Sequence, residues 1–198
     1  MASKKLKMPT LVSPVGTLAY GWLSKPDEGK KYSDGKYKGT LVLTPGTKEV
    51  DDFVKMVEEA HAEARGNKKT DSPIKDGNDK TDKETGEIKE EFKDKILVTF
   101  KSQFQPQLLE KNREGELPVD QAPKSGDLVK FAYAMVPYAE GKNAGVSMQM
   151  RAVKLMERRA RADYSDAFGD DGDDTSEDSA SSKAAPAAGK KKSGGDDF

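Results

Sequence analysis

KYKGTLVLTPGTKEVDDFVKMVEEAHAEARG, residues 36–66, changes its periodicity halfway along, and that change decides the fold class. From Lys36 to Thr44 the period is two. Tyr37, Leu41 and Leu43 face one way and Lys36, Lys38, Thr40 and Val42 the other, as in a strand buried on one side. Pro45-Gly46 stops the strand. Val50, Phe53, Val54, Val57, Ala60 and Ala64 then recur at helical spacing, with Thr47 as N-cap and Gly66 as the stop. Glu49, Asp51 and Asp52 sit at the positive end of that helix dipole. A half-buried strand feeding an amphipathic helix is the unit around which the rest must pack.

Working outward, Leu18, Tyr20 and Trp22 alternate with Ala19, Gly21 and Leu23 and predict an earlier strand with the aromatics on one face. Ser24 to Gly35 reads as a loop. Residues 66–95 offer only Ile74, Ile88 and Phe92 as large apolar side chains, so they read as a flexible charged loop or hairpin tip outside the core. Strand character returns at Ile96–Phe104, with Ile96, Val98, Phe100 and Phe104 on one face and Leu97, Thr99, Lys101 and Gln103 on the other. Two long strands follow, Leu128 to Tyr138 and Gly145 to Met156, joined through AEGKNA. Five strands and one helix predict a mainly β protein: an OB-fold-like five-stranded barrel with its helix between strands 2 and 3, an open sandwich being the competing arrangement. No repeat at solenoid spacing is present.

The charge is divided. The net of −1 conceals a body, residues 1–162, with 30 Lys and Arg against 25 Asp and Glu, and a tail, residues 163–198, with ten acids and four lysines. The body is about +5 and the tail about −6. Hydrophobic residues make up 34% and charged residues 35%, which allows one compact domain followed by a disordered acidic tail ending in Phe198. The absence of cysteine excludes disulfides and thiolate metal sites. No apolar run approaches the roughly 20 residues that span a bilayer, and MASKKLKMPTLVSP lacks the apolar segment of a secretory signal. A soluble, cytoplasmic protein is expected.

Catalysis has little to draw on. His61 is the single histidine and flanks the helix stripe, where a surface or half-buried role is expected. GKKYSDGKY superficially matches a phosphate loop, but Gly29 and Gly35 are wrongly spaced and Tyr37 replaces the magnesium-binding hydroxyl. Asp76, Asn78 and Glu87 fit part of a calcium loop, which Lys80 and Thr81 break. No enzyme, cofactor or metal site is expected.

Cations and aromatics share the strands, and that mixture suits single-stranded nucleic acid, whose phosphates need neutralising and whose unpaired bases stack. Lys36, Lys38, Lys101, Lys130 and Arg151 fall within strands, with Lys25, Lys30, Lys31 and Lys142 in adjoining loops. Tyr20, Trp22, Tyr133 and Tyr138 are the aromatics expected beside them. The competing reading is packing: Trp22 and Phe131 would fill a barrel equally well. An acidic tail can serve solubility alone, or cover a basic groove until a polyanion displaces it. Phe198, behind Asp196 and Asp197, adds nothing to solubility and suits a basic, apolar pocket on a partner. The Lys190–Lys192 cluster would weaken the tail as a competitor for the groove.

Four stretches resemble the replication single-stranded-DNA-binding protein of short-tailed phages that encode their own polymerase and helicase-primase. GTLAYGWLSKPDEG resembles that family's aromatic first strand and its turn, here Lys25, Pro26, Asp27 and Gly29. YKGTLVLTP leading into VDDFVKMVEEAHAEA resembles its second strand and helix. VKFAYAMVPYAEGKNAGVSMQMRAVKLMERRA resembles its final hairpin, and the tail ends in Asp-Phe. The resemblance implies an OB-fold, a homodimer, sequence-independent coating of single-stranded DNA, and a tail that contacts the phage DNA polymerase and helicase-primase. It also points to Tyr138, Tyr133, Lys130, Lys36 and Lys38 as DNA-site residues and to Lys4 and Lys5 as additional phosphate contacts. Lys101 stands where the family would place an aromatic, and the tail is less uniformly acidic than the family's. Two other readings stay open from the residues alone: an acidic-tailed adaptor or DNA mimic without nucleic-acid affinity, and an RNA binder.

Overall fold

The computed structural model describes residues 8–28, 33–112 and 115–160. Its elements are β1 (Leu11–Val12), β2 (Gly16–Trp22), β3 (Tyr37–Leu43), α1 (Lys48–Arg65), β4 (Ile74–Asp76), β5 (Ile96–Ser102), β6 (Gln107–Glu110), β7 (Leu128–Glu140) and β8 (Asn143–Glu157). Hydrogen bonds link β7 to β2, β2 to β3, β3 to β5 and β5 to β8, and β8 pairs back along the whole of β7. The ring is therefore closed. Among the described residues, only the β8 pairings with β5 and β6 are parallel. Five strands in this order, with the third and fifth parallel, form an OB-fold barrel whose helix lies between the second and third barrel strands, as the sequence indicated. β1, β4 and β6 extend the ladders of β7, β5 and β8 respectively.

The alternation read in β3 sets its two faces. Leu41 and Leu43 enter the core with Leu18, Val98, Phe100, Val129, Phe131, Met148 and Met150, while Lys38, Thr40 and Val42 take the outer face. Phe100 lies flat on Phe131 with centroids 4.4 Å apart, and Tyr133 meets the edge of Phe100 at 5.2 Å and Phe53 of α1 at 6.1 Å. α1 begins as predicted: the Thr47 hydroxyl accepts from the Val50 N–H at 3.4 Å. Val50, Phe53 and Val57 bury its apolar stripe.

His61 goes further into the structure than its position suggested. It is buried, its Nδ1 accepts the Val146 N–H at 3.3 Å, and its Nε2 donates to the Thr70 carbonyl at 3.2 Å. The ring thus carries its proton on Nε2 and latches the helix to the β7–β8 hairpin. The latch needs Gly145, since a Cβ there would stand 2.4 Å from His61 Cε1.

Three expectations change. First, β2 contains a bulge: its register with β3 shifts between Ala19 and Trp22, and Tyr20 has a positive φ of 50°. Leu18 and Leu23 stay in the core, and Trp22 moves to the face it was expected to oppose. Second, residues 66–95 hold the hairpin that was one of the two readings, but they also contribute a buried side chain. Phe92 is buried on Val42 and Leu97, and Thr81 bridges Ile88 across a small hairpin. Third, β5 stops at Ser102, leaving Phe104 75% exposed where the alternation had placed it beside Phe100.

Candidate nucleic-acid interface

The register assembles a row across the outer face of the barrel. Trp22 stands opposite Lys38, Lys38 opposite Lys101, and Lys101 beside Gln149. Directly paired residues project to the same side of a sheet, so one aromatic, two ammonium groups and one amide lie side by side across β2, β3, β5 and β8. Trp22 is 36% exposed and Lys101 is exposed. The next rank inward is Thr40 against Thr99, their hydroxyls 3.1 Å apart. Indole for stacking, ammonium for phosphate and amide or hydroxyl for base edges are the groups a single strand requires.

Two carboxylates from the β2–β3 connection already engage the lysines. Lys38 Nζ lies 2.7 Å from both Asp27 Oδ2 and Asp34 Oδ1, and Lys101 Nζ lies 3.3 Å from Asp34 Oδ2. Asp34 thus places one oxygen on each lysine, much as a bridging phosphate would. Partial burial pushes the Asp34 carboxyl up, but the hydrogen bonds and charges of Lys38 and Lys101 outweigh that and hold it at about 2. Burial likewise lowers the Lys38 ammonium, while Asp27 and Asp34 more than offset this and leave it raised. The connection itself is tied back by the Asp27 N–H donating to the Lys36 carbonyl at 2.9 Å and by Ser33 Oγ donating to the Asp27 carbonyl.

The other residues expected at the site divide. Tyr20 is 48% exposed beside the row, displaced outward by the bulge. Lys36 is half-buried at the entry to β3. Lys130 belongs to a different part of the barrel: it pairs with Lys154 on the β7–β8 ladder and reaches Glu49 at the start of α1, 3.4 Å away. Arg151 is the extra residue at the Ala132–Tyr133 bulge and donates to Thr10 Oγ1 and the Met8 carbonyl, holding the segment before β1. Tyr138 is half-buried in the hairpin, its hydroxyl beside Gly145 and the His61 latch.

Tyr133 is a correction. At 0% exposure, between Phe53 and Phe100, it has no face to offer a base. Burial pushes its phenol up to about 12, and its hydroxyl has no hydrogen-bond partner among the described residues. Lys4, Lys5, Lys30, Lys31 and the tail with Asp196, Asp197 and Phe198 lie outside the described residues. Asp27 and Asp34 were not singled out for the site from the sequence. The KPDEG and SDG turns carried a signal, since acids flanking a strand lysine are natural partners for it. Among the described residues no group of three or more His, Asp or Glu is placed to hold a metal, and no helix is long and apolar enough to cross a membrane.

Solved structures share this architecture. The single-stranded DNA-binding protein of bacteriophage Enc34, in complex with single-stranded DNA, matches with a TM-score of 0.60 at 18% identity, covering 78% of this chain and 89% of that one. Gp2.5, a single-stranded DNA-binding protein encoded by bacteriophage T7, matches with a TM-score of 0.56 at 18% identity, over 79% of this chain and 95% of that one. At such identity these establish the fold. No curated protein matches the sequence. The family of the Enterobacter phage Enc34 single-stranded DNA-binding protein matches residues 13–180, well over half the chain, and the protein belongs to that family.

Proposed function

We propose that this protein coats single-stranded DNA without sequence preference during phage replication and recombination, holding the strand across the outer face of β2, β3, β5 and β8. The row Trp22–Lys38–Lys101–Gln149 carries the reading, with family membership behind it. Trp22 stacks a base, Lys101 and Lys38 take phosphates, and Gln149 and the threonine pair border the path. Stacking and phosphate contacts carry most of this binding and accept any base, which makes it sequence-tolerant. Lys36 fits the same path from the entry to β3. The cations must leave Asp27 and Asp34 as phosphate arrives, so the two carboxylates keep the site neutral until a strand displaces them.

The tail completes the proposal. Its excess of acids suits competition for the same cations, and Phe198 with Asp196 and Asp197 suits docking on the phage DNA polymerase and helicase-primase. A homodimer working in the host cytoplasm fits the same role.

Titration of a fluorescent oligo-dT at two salt concentrations tests the site, using the full chain and the Trp22→Ala/Lys101→Ala pair. The variant is expected to bind about tenfold to a hundredfold more weakly. Its salt dependence should be shallower by about 0.7 for each phosphate that is no longer neutralised. Equal affinity for the two proteins at low salt overturns the assignment. Absence of binding by either favours a protein-binding adaptor.

A further inference from the structure

Tyr20 is held in a strained backbone conformation. A bulky aromatic at φ 50° lies in the left-handed region, which residues other than glycine, asparagine and aspartate occupy only at an energetic cost. The bulge that imposes this conformation aims the ring outward at 48% exposure instead of into the core. One side of the ring is backed by Phe92 and the rest stays open to solvent, which suits a ring that receives a ligand.

Beneath and beside the ring, the segment between β4 and β5 forms a platform. Its neck closes where the Gly77 N–H donates to the Lys95 carbonyl at 2.8 Å and Asp94 and Asn78 exchange hydrogen bonds. Gly77 is required there, because a Cβ would fall 1.9 Å from the Phe92 carbonyl oxygen. Phe92 is buried in the outer face of the sheet and meets Tyr20 at 5.7 Å between centroids. The small hairpin above it is fixed by the Lys89 N–H to the Lys80 carbonyl at 2.9 Å. Asp82 is committed to the hairpin's own turn, accepting from the Glu84 and Thr85 N–H groups, which lower its carboxyl.

Tyr20 therefore forms a wall of two clefts. One, of about 270 Å³, has an apolar floor of Ala19, Val42 and Phe92 and a rim bearing Lys95 and Arg159. The other, on the hairpin side, has Lys80, Lys83 and Lys89 around the ring. Glu91 rims the first cleft and Glu84 the second, so neither is strongly basic and stacking must supply more of the binding than charge.

We propose that Tyr20 is the platform of a second nucleotide station, where one base of the strand stacks on the exposed ring and the phosphates on either side enter the Lys95–Arg159 and Lys80–Lys89 clefts. The inference rests on the strand path proposed above and extends it past Trp22 on the same face. It assigns a purpose to the excursion between β4 and β5: the hairpin backs the ring through Phe92 and brings lysines to it.

Tyr20→Gly is the informative variant, because glycine adopts this φ without strain and the barrel is expected to keep its melting temperature within a few degrees. In the full chain its affinity for oligo-dT should fall by about tenfold, with Tyr20→Phe close to the parent. An abasic oligonucleotide of the same length, which has phosphates but nothing to stack, should bind the parent and Tyr20→Gly equally. Lys80→Ala/Lys89→Ala should lower the salt slope with a smaller fall in affinity. Unchanged oligo-dT affinity in Tyr20→Gly, alongside a clear loss in Trp22→Ala/Lys101→Ala, removes the second station and leaves the first. No loss in either set removes both. An equal loss on dT and abasic strands also overturns the proposal, since the ring then acts through the fold and not by stacking.

Discussion

Two groups of aromatics in this barrel look alike in the sequence and do opposite things. Phe100, Phe131 and Tyr133 sit in alternating strands among Lys101, Lys130 and Arg151, and all three are fully buried against one another. Tyr20 and Trp22 sit in an alternating strand near Lys25 and opposite Lys38, and both are exposed. Residue type does not separate the groups. Register does: the bulge in β2 turns Trp22 to the outer face, while β7 alternates without interruption and keeps Phe131 and Tyr133 inward, the extra residue of its ladder, Arg151, falling on β8. A basic and aromatic composition thus marks a strand as a candidate, and one inserted residue decides whether its rings enter the core or reach the surface.

The sharpest way to break this comparison is to truncate one ring of each group. Tyr133→Ala removes a side chain in edge contact with both Phe100 and Phe53, and the cavity should cost about 3–5 kcal/mol, read as a lower midpoint in a denaturant melt. Trp22→Ala removes a ring that is already 36% exposed, and it should leave the midpoint within about 1 kcal/mol. Its effect should appear as weaker binding of oligo-dT, larger still with Lys101→Ala. If Trp22→Ala unfolds the protein as severely as Tyr133→Ala does, the division between core and interface fails.

Much of the fold was legible because period-two and helical patterns report burial directly. The faces of β3, the Thr47 cap and the stripe on α1 stand where the pattern put them. Lys38 and Lys101 were legible as outer-face cations for the same reason, each lying on the polar side of a half-buried strand. The bulge at Tyr20 was not, since Leu18 and Leu23 both stay inside and only the three-dimensional packing reveals the slipped residue between them. Phe92 was hidden by its charged neighbours, because one apolar side chain has no periodicity. Tyr133, Lys130, Tyr138 and Arg151 fit the composition of the site but lie where the β7–β8 ladder carries them, away from the row. The short β1, β4 and β6 are pairing events more than sequence patterns.

A gentler probe concerns the charges. Asp34 clamps the two lysines of the row, so Asp34→Asn should release Lys101 and half-release Lys38, tightening DNA binding by up to about fivefold, the scale of an exposed ion pair of about 1 kcal/mol. The salt dependence should steepen, because more cations then wait for phosphate. The pH dependence has a definite sign. The Asp34 carboxyl is held at about 2 against an ordinary 3.8, so the clamp is fully formed above pH 3.8 and lost only as pH falls through about 2. The advantage of Asp34→Asn should accordingly be the same at pH 6 and pH 8. Weaker binding by this variant would mean that Asp34 orients the lysines for DNA instead of competing with it.

The smallest expected effect bears on the residue whose role changed most between sequence and structure. The Tyr133 hydroxyl is buried without a partner among the described residues, and an unsatisfied polar atom costs stability that a plain ring does not. Tyr133→Phe keeps the edge packing on Phe100 and Phe53 and removes only that oxygen. It should raise the denaturant midpoint by a few tenths to about 1 kcal/mol and leave oligo-dT binding unchanged. A loss of DNA affinity with retained stability would return this hydroxyl to the interface and show that β7 opens when a strand binds. A loss of stability would instead reveal a hydrogen-bond partner for the phenol. A modest gain with unaltered binding places Tyr133 wholly with the core, and leaves the stacking work to the exposed rings of β2.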